Sequence, residues 1–216
     1  MARTGFIVVA LAASAAGLSS WEATLDPRTL GEAIAIGQSR PDASRERLHS
    51  TYHLNVNRPP IDYLEIVTPF RRIVLDAETS TRLGQRLYGQ REALAALGNN
   101  PTRVDIVVEM TFHPLNTFVG VPAYAVFLQP DDDAQRMLPA ETARIPRFGP
   151  RLTPSFLTYP YSAGGALPNQ SQPLLGGHLV AVFDGRALTA HPLSKVTVVD
   201  GDQELAAVSL DLGKMR

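Results

Sequence analysis

Residues 103–112 read Arg-Val-Asp-Ile-Val-Val-Glu-Met-Thr-Phe. Val104, Ile106, Val108, Met110 and Phe112 fall on every second position. Asp105, Glu109 and Thr111 fall between them, with Val107 in their company. Successive side chains of an extended chain point to opposite faces, so this spacing predicts a strand with one face in a core and one toward water. Such a strand needs paired neighbours and an apolar layer opposite. Antiparallel sheets meet that need with one covered face.

The flanking sequence extends the pattern. On the C-terminal side, Ala123 to Leu128 reads as a strand. His178 to Phe183 runs into Asp184-Gly185, and Lys195 to Val199 runs into Asp200-Gly201. Asp-Gly is a tight-turn pair, so both sites predict hairpins. Glu204 to Leu212 follows, with Ala206, Val208, Leu210 and Leu212 on one face. On the N-terminal side, Tyr52 to Val56 is closed by Asn57-Arg58-Pro59-Pro60, and Ile61 to Val67 follows. Pro69 is read as a bend or edge position, with Arg71 to Leu75 continuing the ribbon. There is no βαβ alternation and no internal repeat.

Two segments read as helical. Asp26 is placed to cap a helix that starts at Pro27 and buries Leu30, Ala33, Ile34 and Gly37. Pro41 ends it, and Asp42 or Ser44 starts a second through about His49. Over residues 77–97, Asp76 is a candidate cap, and Leu83, Leu87, Leu94 and Leu97 form a rough stripe. Gly84 and Gly89 each weaken a helix by about 1 kcal/mol relative to alanine, which predicts a break near Tyr88-Gly89. Gly98-Asn99-Asn100-Pro101 is a stop. The fold class expected is mainly β: an antiparallel β-sandwich with an N-terminal helical lead-in and an inserted helical segment.

Residues 6–16, Phe-Ile-Val-Val-Ala-Leu-Ala-Ala-Ser-Ala-Ala, follow Arg3 and precede Gly-Leu-Ser-Ser. A charged start, a short apolar run and small residues at the exit are the order of a secretory signal. The run is shorter than the roughly 20 residues a spanning helix needs. Cleavage is expected after Ala13-Ser14-Ala15 or near Ser19 or Ser20. The layout is then a signal over 1–20 and one sandwich-like domain over 21–216. Within that domain the helical lead-in covers 21–50, the inserted helices 77–97, and a loop rich in proline and aromatics 139–177. The expected location is the periplasm or the outside of the cell.

The absence of cysteine excludes disulfides, thiolate metal sites, a cysteine nucleophile and a lipid-modified cysteine. A chain of this length buries enough to fold without staples. The composition, 44% hydrophobic and 19% charged, is that of a folded protein. Lys195 and Lys214 are the only lysines. That bias toward arginine, with the abundant alanine, fits a GC-rich bacterial source. Net charge is −1, or −2 once the positive charge of Arg3 leaves with the signal, which points to neither nucleic acid nor an anionic membrane as partner.

Candidate sites come from residue type and spacing. No acidic residue occurs from Thr142 to Phe183, while Arg144, Arg147 and Arg151 lie close together. Phe148, Phe156, Tyr159 and Tyr161 share that proline-stiffened stretch. Arginine and aromatic side chains are frequent anchors of interfaces, so these seven residues are the expected binding surface. Asp131-Asp132-Asp133 lacks the alternation of a calcium loop and reads as a solvated turn. His49 and His53 are four apart but straddle a helix–strand boundary, and His113, His178 and His191 are scattered. Neither G-x-S-x-G nor S-x-x-K occurs, and Ser194 and Lys195 as strand neighbours face opposite ways. Asn169-Gln170-Ser171 is a coincidental sequon. Glu65 and Glu109 are the carboxylates to check for glycoside hydrolysis, with solvent-facing positions the simpler expectation. One of Arg71 and Arg72 is expected to be partly buried on Glu65 or Glu109.

No motif calls for a cofactor or a metal. The function expected is therefore a non-catalytic module that binds another envelope protein or a glycan through its loops. The alternatives are an envelope-directed hydrolase whose site only the fold assembles, and an assembly factor that pairs through an edge strand.

Overall fold

The computed structural model describes residues 21, 23–85, 88–113, 115–131, 135–149 and 173–216. Its strands form two antiparallel sheets. The larger takes β1 (His53–Arg58), β2 (Ile61–Val67), β3 (Arg103–Thr111), β6 (Leu174–Asp184) and β5 (Glu141–Phe148), in the order β1-β2-β3-β6-β5. The smaller takes β4 (Ala125–Pro130), β7 (Leu193–Asp200) and β8 (Gln203–Asp211), in that order. The two face each other across one core, as a sandwich does.

The quoted strand is the centre of the larger sheet. Val104, Ile106, Val108 and Met110 have no exposed surface, and Phe112 follows them inward. They meet Ile61, Leu64 and Ile66 of β2, Leu179, Ala181 and Phe183 of β6, and Val126, Leu128, Val196, Val198 and Leu210 of the smaller sheet. Trp21 and Ala23 open the described part of the chain and are already buried in this cluster.

The helices build a second apolar cluster. α1 (Pro27–Gln38) is capped by Asp26, whose side chain accepts from the Arg28 and Thr29 amides, and it buries Leu30, Ala33, Ile34 and Gly37. Gly37 sits where α1 touches α3 (Pro69–Arg82). A Cβ there would lie 2.5 Å from both the Ala77 Cβ and the Val74 carbonyl oxygen. α2 (Ala43–Thr51) is capped by Asp42. α4 (Gln90–Leu97) adds Ala93 and Leu97. Among the described residues, no helix is long and apolar enough to cross a membrane.

Five local expectations are corrected. Arg71 to Leu75 lies in α3, not in a strand. Thr68 caps that helix through the Arg71 amide, Pro69 takes its first turn, and Phe70, Ile73, Val74 and Ala77 repeat at helical spacing. Pro69 thus starts a helix where a bent strand was expected, and Asp76 lies inside the helix instead of capping one. The stripe proposed over 77–97 does not form, because Leu83 and Leu94 are exposed. At Asp184-Gly185 the chain turns into α5 (Gly185–Thr189), with Asp184 capping the Arg186 amide; only Asp200-Gly201 closes a hairpin. Finally, β5 and the start of β6 occupy both ends of the stretch read as one loop over 139–177.

Candidate functional site

The face of the larger sheet turned away from the core carries its own set of polar groups. Register aligns Tyr63 of β2 with Glu109 of β3, Glu109 with His178 of β6, and His178 with Ile145 of β5. Glu109 was expected to point to solvent. It is 6% exposed instead, because neighbours cover it from both sides. Arg147 Nη1 donates to Glu109 Oε1 at 2.6 Å, and His178 Nε2 lies 2.6 Å from Glu109 Oε2. Arg147 Nη2 also donates to the Met110 carbonyl at 3.3 Å and to Thr111 Oγ1 at 3.4 Å.

Arg147 reaches β3 from β5 by crossing β6, and the residue it crosses is Gly176. A Cβ on Gly176 would stand 2.1 Å from the Met110 carbonyl oxygen and 2.7 Å from Arg147 Nη2. The side-chain-free position is the channel through which the guanidinium passes. A strand glycine with this role marks a close approach of another group.

The chemistry of the row follows from who can donate. A carboxylate only accepts, so His178 Nε2 carries the proton shared with Glu109. The side chains of His178 and Arg147 are 42% and 47% exposed, so both present polar atoms outward from a buried acid. Tyr63 lies beside them, its ring 4.1 Å from that of His53. Burial first, then the carboxylates of Glu109 and Glu65, raise the proton affinity of the Tyr63 hydroxyl. The row holds a cation, an oriented imidazole and a neutral phenol. It suits recognition of an anionic or hydrogen-bonding group, and an oriented histidine also suits proton transfer.

A second charged group joins helices to sheet. Arg71, 5% exposed at its side chain, pairs with Glu65, donates to the His49 carbonyl at 3.1 Å and lies over the Tyr52 ring. Desolvation lowers its proton affinity, opposed chiefly by Glu65. The partner expected for a buried arginine is therefore found, although Arg71 reaches it from a helix. Arg72 and Arg103 share Asp105 at 2.9 and 2.6 Å.

Of the seven residues read as a binding surface, Arg144, Arg147 and Phe148 lie on β5. All eight residues of that strand are exposed. Arg151, Phe156, Tyr159 and Tyr161 lie outside the described residues, as do Asp132, Asp133 and Asn169. The structure brings Arg147 to Glu109 and His178, a grouping the sequence reading missed. The paired glycines Gly176-Gly177 inside an apolar strand were the available signal. Among the described residues, no group of three or more His, Asp or Glu is placed to hold a metal. His49 pairs with Glu78 at 2.7 Å and His53 stacks on Tyr63, so the two do not converge. Ser194 is buried and Lys195 faces outward. Compared with protein-family models, curated proteins and solved structures, the chain matches none, so its function is read from these side chains.

Proposed function

We propose that the protein is an exported, non-catalytic binding module of the cell envelope that holds an extended partner segment against β5. One observation carries this reading: β5 ends the larger sheet and is exposed at all eight residues, Arg144, Ile145, Arg147 and Phe148 among them. Phe148 pairs with Leu174, and Asn116 donates to the Leu174 carbonyl at 2.8 Å. The exposed Leu115, Phe118 and Val119 are thereby tethered to the same end of β6. Exposed apolar side chains gathered beside arginines are the composition of an interaction patch. Pro146 removes one donor from the strand edge, which blunts ladder extension and favours side-chain contact over strand pairing.

Export rests on residues 1–20 of the sequence. Capture from an envelope extract tests the whole reading. The purified protein retains a partner, and an Ile145→Ser/Phe148→Ser double variant of unchanged circular dichroism and melting temperature does not. Equal retention by both proteins overturns the docking surface. Recovery of the protein from the cell with Met1 intact overturns export.

The His178–Glu109 pair favours a second reading, hydrolysis of an envelope polymer with His178 as general base. Turnover of purified peptidoglycan that disappears in His178→Ala establishes it. Turnover unaffected by that substitution refutes it.

A further inference from the structure

The two apolar clusters meet at a polar seam. Among the described residues, only the half-buried Leu48 packs on both the sandwich core and the helical core. The side chains that tie α3 to the larger sheet are charged: Arg71 pairs with Glu65 of β2, and Arg72 donates to Asp105 of β3 at 2.9 Å. Shared apolar burial makes neighbouring elements open and close together. Polar ties exchange with water at little net cost, so they bind two cores less firmly than each core binds itself. The connections are short. α3 follows β2 after the single residue Thr68, and α4 leads to β3 through residues 98–102, beginning with Gly98 at φ +61°. Such positions at the ends of elements absorb rotation when one packed unit moves on another.

Residues 212–216 cross that seam. Leu212 and Met215 are buried in the sandwich core, and the Leu212 amide donates to the Pro192 carbonyl at 2.8 Å. Arg216 then reaches the helices. The Tyr52 hydroxyl donates to the Arg216 carbonyl at 3.0 Å and accepts from the Arg216 amide at 3.1 Å. Thr68 Oγ1 donates to the same carbonyl at 2.6 Å while accepting from the Arg71 amide in the first turn of α3. The Arg216 guanidinium meets Glu32 of α1 at 3.1 Å. Tyr52 and Thr68 are both buried, so their bonds to Arg216 form with little competition from water.

We propose that α1, α3 and α4 undock from the sandwich as one cooperative unit, and that residues 212–216 are the strap that latches it. The proposal is independent of β5. Native-state hydrogen exchange of the full chain, read by mass spectrometry, tests both halves. Val198→Ala loosens the sandwich core at the end of β7 away from the strap. It speeds exchange in β3 and β7 about tenfold or more and leaves α1, α3 and α4 unchanged, because undocking does not break that core. Tyr52→Phe keeps the buried ring and removes only the hydroxyl that holds Arg216. It speeds exchange in α1, α3 and α4 together by about three- to tenfold, the worth of a neutral hydrogen bond. Helix amides that accelerate in step with β3 in Val198→Ala overturn the separate unit. Helix amides unmoved by Tyr52→Phe overturn the latch, and acceleration confined to one of the three helices overturns their moving as one.

Discussion

Replacing Arg147 with alanine removes the cation that faces the most buried carboxylate of the row. Among the described residues, Glu109 keeps the His178 contact at Oε2 and loses the 2.6 Å bond at Oε1. A hydrogen bond to a charged group is worth about 1.5–3 kcal/mol. The Arg147 side chain is 47% exposed, so solvent screens part of that. The expected loss is about 1–2 kcal/mol, which for a domain of this size lowers the melting temperature by roughly 2–8 °C. Urea denaturation of Arg147→Ala, Glu109→Gln and the double variant measures the coupling directly. Because the neutral amide introduced by Glu109→Gln no longer needs the guanidinium, the double variant is expected to lose less than the two single variants together. A coupling energy indistinguishable from zero refutes the argument that Arg147 is what stabilises a buried acid in this sheet.

Arg71→Met leaves Glu65 without its guanidinium and is expected to cost about 2–4 kcal/mol in urea denaturation, below the full cost of breaking a buried pair because Glu65 is 29% exposed at its side chain. Adding Glu65→Leu restores part of the loss. Gly37→Ala drives a methyl into Ala77 and the Val74 carbonyl, and the overpacking outweighs alanine's better helix propensity. A net loss of about 1–2 kcal/mol is expected, with faster amide exchange in α1. Asp26 is held below the ordinary carboxylate range mainly by the Thr29 amide, joined by that of Arg28. Its stabilisation of α1 is present above the unfolded value and is lost as pH falls through the lower folded one. Acid titration by circular dichroism is expected to show the first turn fraying over that window, and Asp26→Asn to keep the cap but remove the pH dependence.

Residues 103–112 were legible because their apolar and polar residues alternate almost without interruption, so burial on one side follows from their order alone. Arg71 was legible in part. A buried guanidinium needs a carboxylate in any backbone conformation, so Glu65 could be named while the element was misread. The misreading came from Pro69, which ends a strand and begins a helix equally well; Thr68 before it and Ala77 after it decide the matter. Asp184-Gly185 is ambiguous for a similar reason, since an aspartate that favours a tight turn also caps a helix. The Glu109–Arg147–His178 grouping was not legible. It depends on the register of β3, β6 and β5, and those residues are separated by long stretches of sequence. Prolines hid β5 for the same reason they suit it, because an edge strand tolerates a missing donor.

The passage of Arg147 over Gly176 bolts the outermost strand two strands deep. A pull on β5 is therefore shared with the sheet's middle strand, so peeling the margin must also break a tie to the centre. His178 grips the other oxygen of the same acid, which makes its imidazole resonances a ready gauge of strain in that strut. Watching them during ligand capture would report, without any added label, when the rim of the sheet is under tension.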